Sequence, residues 1–384
     1  MRTSEEKKLI AGSVMEYFAQ IPDPRVERTR AHPLVNILVI SLLAVVCGAD
    51  SFVTIEEFGR LKEKFLATFL DLKNGIPSHD TIGRVLAAVD PLALQEAFRL
   101  WVASLVELSK GEVVAIDGKS LRRSFRDATN KAFVHMVSAW AARNHVVLGQ
   151  IKTDAKSNEI TAIPRLLELL HIKGAVVTID AMGCQTAITE KIISRGANYM
   201  LAVKENQPTL YTEIRAAFDH AIATKPAGMT DFAHTMEKGH GRIEARRCVV
   251  LYDVSGLSHA DDCKGLACLV MVEVDRTVDG KTSCEQRYYI SSQKNLRAKD
   301  ALATVRTHWS IENSLHWVLD LAFREDDCRV RAGNAAENFA VLRHFSLNLL
   351  KRANSKVGIK IRRQCAGWDD GFLLHVLCGT PYSR

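Results

Sequence analysis

The chain has 384 residues, 47% of them hydrophobic and 25% charged, so it holds enough apolar material for a full-sized core in two or three domains. This composition is that of a soluble globular protein and excludes a disordered or low-complexity chain. A formal net charge of +7 is only a mild basic excess, compatible with a polyanionic partner without requiring one.

Nine cysteines without a CxxC pair, the closest being Cys263 and Cys268, exclude a cysteine-rich zinc fold and fit a reducing cytoplasm. The N-terminus lacks the basic-then-apolar layout of a secretory signal. The longest apolar run, Leu34 to Ala49, carries Asn36 and Ser41 and is shorter than the roughly 20 residues of a membrane span. It reads as a buried helix.

Residues 1–110 read as helical throughout. "SVMEYFAQIPDPR" is a helix closed by Pro22, and "TIEEFGRLKEKFLATFL" has helical apolar spacing. In "PSHDTIGRVLAAVDPLALQEAFRLWVASL", Ser78 or Asp80 caps a short helix and Asp90-Pro91 marks a turn into a longer one. Two helices across a turn fit a DNA-reading helix-turn-helix and fit a small helical bundle equally. From 111 the pattern turns to strands: "EVVAID", "AFVHMVSAWAA" and "VVLGQIKTD", the last two joined by "RNH". A helix "NEITAIPRLLELL", a strand "AVVTID", a helix "QTAITEKIISRG", a strand "YMLAVK" and a helix from Pro208 follow. Three antiparallel strands followed by alternating helices and strands predict a mixed α/β sheet with helices on both faces, the ribonuclease H-like order. Residues 111–229 form the first part of this core. Residues 230–292, with three more strands, read as a β-rich insertion, and 293–384 return to helices that complete the core and end in a basic helical region.

Asp117 ends the first strand and Asp180 the fourth; on neighbouring strands both project from one sheet edge. Two carboxylates that close repel unless a cation lies between them, and Mg²⁺ or Mn²⁺ with oxygen ligands suits such a pair. The third acid is expected from the last helix. Glu312 borders the apolar stripe of Ile311, Leu315, Val318 and Ala322 and is favoured over Asp320, Glu325, Asp326 and Asp327 because His308 and His316, four residues to either side, can share a phosphate-facing surface. Two ions roughly 3.5–4 Å apart would then activate a water or a 3′-hydroxyl for in-line displacement at phosphorus. The basic residues beside Asp117, namely Lys119, Arg122, Arg123 and Arg126, would hold the nucleic-acid backbone. Taken singly, each acid also reads as a turn former or a solvated helix residue; the joint placement carries the argument. A zinc site on His308 and His316 is disfavoured, since eight residues of helix separate them by about 12 Å.

The segments "AIDGKSLRRS", "HMVSAWAARNHVVLGQIKTDAKSNEITAIPRLLELL", "GAVVTIDAMGCQ", "KGHGRIEARR" and "HWSIENSLHWVLDLAFREDDCRVR" make the chain similar to bacterial insertion-sequence transposases of the ISAs type, the group that includes the H-repeat-associated proteins. The resemblance covers nearly the whole chain. It implies a cytoplasmic DDE transposase that cleaves DNA at element ends and transfers the freed 3′-hydroxyl to target DNA. Asp117, Asp180 and Glu312 would be its acids, and it would work as a homodimer or larger assembly on DNA. One departure stands out: where many relatives carry Tyr-x2-Arg-x3-Glu-x6-Lys, Val305, His308 and Leu319 occupy the Tyr, Arg and Lys places around Glu312. His240, Arg242, Arg246 and Arg247 in the insertion, and Lys351, Arg352, Arg362 and Arg363 in the acid-free run 351–363, are further candidates for DNA contacts. The competing readings are a related metal-dependent nuclease such as a resolvase, and a catalytically idle transposase-derived DNA-binding protein.

Overall fold

Residues 14–121, 134–153, 159–224, 230–239, 241–353 and 355–379 are described by the structure, a computed structural model. Helix α1 (Leu34–Cys47) is apolar all round and, from Leu34 to Val46, leaves only Val35 short of full burial. Its Asn36 donates to the Asp71 carbonyl at 2.7 Å, and Gly48, at φ +118°, ends it. The reciprocal Ser51–Thr54 box starts α2 (Phe52–Leu61), Ser78 caps α3 (His79–Ala88), and Asp90 with Pro91 opens α4 (Pro91–Leu105). No single helix among the described residues is long and apolar enough to cross a membrane.

One nine-stranded sheet spans the molecule. Its strands are β1 (Val113–Leu121), β2 (Val134–Ala141), β3 (Val146–Lys152), β4 (Val176–Ile179), β5 (Asn198–Val203), β6 (Thr230–Gly239), β7 (Arg242–Leu251), β8 (Cys268–Val278) and β9 (Lys281–Ser291), in the order β3-β2-β1-β4-β5-β9-β8-β7-β6. β1, β2 and β3 are antiparallel, and β4 and β5 run parallel to β1, which is the ribonuclease H-like arrangement. Helices α5 (Glu159–Leu169) and α6 (Thr186–Ser194) connect the core strands, and α7 (Pro208–Thr224) follows β5. Ile163, Leu166, Ile188 and Ile192 join the cluster that includes Val114, Ile116, Val177 and Ile179 on one face. On the other face α8 (Ala298–His308) packs Ala298, Ala301, Leu302 and Val305 against Val176, Met200, Val250, Val270 and Tyr289.

The insertion does not stand apart from the core. β9 pairs antiparallel with β5 from Met200↔Ser291 to Val203↔Tyr288, so four strands continue the core sheet where three were expected. The extra strand is β6, whose "TDFAHTMEKG" is mostly exposed at the sheet edge and so lacks the apolar alternation of a half-buried strand. Asp279 and Gly280, both at positive φ, make the two-residue turn between β8 and β9.

After α8 the chain makes a π-helical turn (Glu312–His316), then α9 (Trp317–Phe323), α10 (Ala335–Arg352), α11 (Ile359–Trp368) and α12 (Asp370–Cys378). α10 is buried from Ala335 to Leu350. Its Asn338 donates to the carbonyls of Leu86 and Val89 at the end of α3. Asn348 brackets the peptide of Val147, accepting from its N–H and donating to its carbonyl, both at 2.9 Å. Those Val147 groups face outward from the edge strand β3, so α10 covers that edge while it packs the N-terminal helices.

Candidate active site

The parallel register of β1 and β4 ends at Ile116↔Ile179, so Asp117 and Asp180 are the next residues on adjacent strands. Alternation puts both on the α8 face, the face of Thr178, whose hydroxyl meets His308 Nδ1 at 2.9 Å. β4 stops because Asp180 turns into a 3-10 turn (Ala181–Gly183), accepting from the Met182 N–H. β1 runs on beside β2 to Leu121, so Asp117 lies within a strand rather than at its tip. Beyond this point, among the described residues, no strand pairs with β1 on the β4 side.

Glu312 arrives on the π-turn that continues α8, a local widening common at functional sites. Within the same turn His316 brings Nδ1 to 3.4 Å from Asp117 Oδ2. Burial pushes the Asp117 carboxyl up to about 7, and the nearby carboxylates of Glu159, Asp180 and Glu312 push the same way, against the Gly118 N–H that donates at 2.9 Å. Asp180 is likewise raised, by burial and by Glu159, with Lys204 opposing. Each acid is thus within electrostatic reach of Asp117 in a pocket of negative charge.

This donor set fits hard divalent cations: carboxylate oxygens on rigid elements, with no lysine or arginine among the described residues paired to them at contact. The oxygens of Asp117, Asp180 and Glu312 are not all gathered within 4.8 Å of one another. The described group that is so gathered, Glu273, Asp275 and Cys284, lies on β8 and β9, where the Arg247 guanidinium pairs with both acids.

Several expected DNA contacts have other employment. Lys119 sends its ammonium to Asp320 (2.6 Å), Glu325 (3.1 Å) and Asp326 (3.2 Å), because α9 and the turn after it deliver three acids to the face of β1 that Asp117 and Lys119 share. His308 and His316 turn inward, and burial pushes both down to about 4, so they are neutral and not a cationic phosphate surface. Arg363 is buried over the Phe323 ring and donates to the carbonyls of Ala322 and Val45. Arg362 caps the carbonyls of Leu350, Ala353 and Val357, and Lys351 lies over the Trp140 ring. Of the basic run, Arg352, Lys356 and Lys360 are exposed. Arg122, Arg123, Arg126 and His240 lie outside the described residues.

Arg242 and Arg246 do share a cleft with Glu312. Together with Arg276, Arg287 and Arg306 they line a cleft of about 620 Å³ that ends at Trp309, Glu312 and Asn313. Buried Glu244 organises it, pairing with Arg242, Arg246 and Arg276 at once. Arg287 lies 5.1 Å over the Trp309 ring, and these two side chains also line a second cavity of about 610 Å³ that reaches Asp180, Lys204 and Tyr211. Sequence reasoning missed Arg276, Arg287 and Arg306, which are spread over 31 positions and meet only when the strands and α8 pack. It also missed Glu159 and His135, for which the one available signal was an acid opening the helix after the third strand.

Residues 15–102 match the family described as DDE_Tnp_1-associated, and residues 108–349 match the transposase DDE domain. YbfL and YhhI of Escherichia coli strain K12 are each 40% identical to this chain over 379 residues, covering 96% of it and 99% of their own lengths. YhhI is named provisionally as an H repeat-associated transposase. YncI of Escherichia coli O157:H7, named provisionally as a transposase, is 41% identical over 95% of this chain and 94% of its own. A piggyBac transposase synaptic complex with hairpin DNA aligns over 97% of this chain and 78% of its own at 10% identity and a TM-score of 0.43, too distant to carry an argument. Asp117, Asp180 and Glu312 all fall inside the segment that matches the transposase DDE domain, and the chain belongs to the DDE transposase family.

Proposed function

We propose that this chain is a DNA transposase that cleaves at the ends of an insertion sequence and joins the freed 3′-hydroxyl to target DNA. Asp117, Asp180 and Glu312 would hold two divalent ions, Mg²⁺ or Mn²⁺. The carrying observation is that Asp117, on β1, is within electrostatic reach of both Asp180 on β4 and Glu312 on the π-turn. Bound ions supply a lowered proton affinity for the attacking water or hydroxyl and stabilise the leaving oxygen. The protein's own part is positioning. Gly118 N–H orients Asp117, Met182 N–H orients Asp180, and neutral His316 stands beside Asp117 without adding a charge that would compete with a cation. The arginine cleft supports a route for the DNA backbone to Glu312, with Arg242, Arg246, Arg276 and Arg306 as phosphate contacts.

The test is cleavage of DNA carrying the element's inverted repeats by the purified full chain with Mg²⁺ or Mn²⁺, followed by strand transfer to a second duplex. Asp180→Ala should abolish both while the protein stays folded. Cleavage by this variant at the wild-type rate would refute the assignment, and cleavage of branched DNA without joining would point to a resolvase-like nuclease.

A further inference from the structure

Glu159 is the first residue of α5, on the opposite face of the sheet from α8. Its Oε1 pairs with His135 Nε2 at 2.7 Å, and His135 Nδ1 is in turn 2.8 Å from the Ser120 hydroxyl. Ser120 and His135 are direct cross-strand partners on β1 and β2, so two strands hold the imidazole and the imidazole holds the carboxylate. The carboxylate stands against Gly118: a methyl group at that position would overlap Glu159 Oε1 and the His135 ring. Gly118 is at ordinary φ, so its lack of a side chain serves this close approach and not a turn.

We infer that Glu159 is a fourth carboxylate of the metal site, reaching it over Gly118 where β4 has ended and the flank of β1 is open. The inference rests on the metal-holding role proposed for Asp117 and Asp180. Glu159 is placed beside both: its Oε1 stands against Gly118, the residue next to Asp117, and the helix it opens packs on the Ala181–Gly183 turn that follows Asp180. A carboxylate locked beside two like charges is costly without a cation, and His135 and Ser120 lock it there. The relay matches the way an outer hydrogen bond orients a metal-binding group. If Glu159 only anchored α5 to β2, its charge would be dispensable and its shape would suffice.

Mn²⁺ binding to the full chain without DNA, followed by calorimetry and by the loss of the free-ion electron spin resonance signal, separates these. Glu159→Gln keeps the size and an acceptor for His135 and removes the charge. The expected result is a Mn²⁺ affinity at least about tenfold weaker, with a matching rise in the Mg²⁺ concentration needed for half-maximal cleavage. His135→Ala, which frees the carboxylate without removing it, should weaken Mn²⁺ binding by a smaller factor. If Asp117→Asn abolishes binding while Glu159→Gln binds as wild type, the inference fails and the proposed site stands. If Asp117→Asn also binds as wild type, both fail. Should Glu159→Gln not fold, unchanged Mn²⁺ affinity in folded His135→Ala would overturn the inference by itself.

Discussion

Asp117 is the side chain on which the proposed chemistry turns. Its ordinary proton affinity of 3.8 is lifted to about 7 by burial and by neighbouring carboxylates, so the folded form holds its proton more tightly than the unfolded chain does. Two consequences follow from the sign. Without metal, this residue's contribution to stability falls as pH rises from about 4 to about 7 and is constant above. Metal binding needs the ionised carboxylate, so Mn²⁺ affinity should climb about tenfold per pH unit below 7 and level off above it, with close to one proton released per binding event at pH 6. Calorimetry in buffers of different ionisation enthalpy between pH 5.5 and 8 measures both, and a flat affinity across that range would contradict the assignment. Neutral His316 cannot produce the same profile, since burial puts its titration near 4.

At the scale of elements, the link from β1 to α9 and the turn after it is ionic. Lys119, two residues beyond Asp117, is held above its ordinary proton affinity despite burial, because Glu325, Asp320 and Asp326 surround it, and Glu325 is buried against Arg343. Lys119→Ala leaves three acids facing an empty place, one of them fully buried, and should cost about 3–5 kcal/mol of stability, read as a lowered denaturation midpoint. A Lys119 that served DNA instead would lose affinity with the midpoint unchanged. The strand end at Asp180, the helix start at Ser78, the turn at Asp90-Pro91 and the buried Leu34–Cys47 helix were legible from the sequence, because each is written in adjacent residues, whereas the run of β1 past Asp117 to Leu121 was not. The employment of Lys119 was not, since its partners come some 200 positions later. The inward turn of Arg362 and Arg363 was hidden likewise: a basic run looks the same whether its guanidinium groups meet phosphate or orphan carbonyls. Strand β6 escaped because an exposed edge strand needs no apolar alternation.

Across the whole molecule, the helices before residue 110 and the sheet after it share one continuous cluster of buried side chains, and α10 is its centre. Phe18 and Phe98 from the N-terminal part meet Phe345 of α10 edge to face and Trp101 meets it at a tilt, with ring centroids 4.8–5.1 Å apart. A fragment of residues 111–384 would bare that face of α10. It should aggregate or lose its cooperative unfolding transition in conditions where the full chain keeps it, and a fragment that unfolds cooperatively with full-chain Mn²⁺ affinity would show the two parts to be independent. The same continuity explains how distant segments define one site: α10 holds β3 and α3, the insertion strands extend β5, and α8 crosses the sheet to deliver Glu312. The most direct test of the central claim is anomalous scattering from crystals soaked in Mn²⁺. A peak bonded to both Asp117 and Asp180, and absent from Asp180→Ala crystals, is the expected result. Saturating Mn²⁺ that leaves this pocket empty, or that binds only at another site, would contradict it.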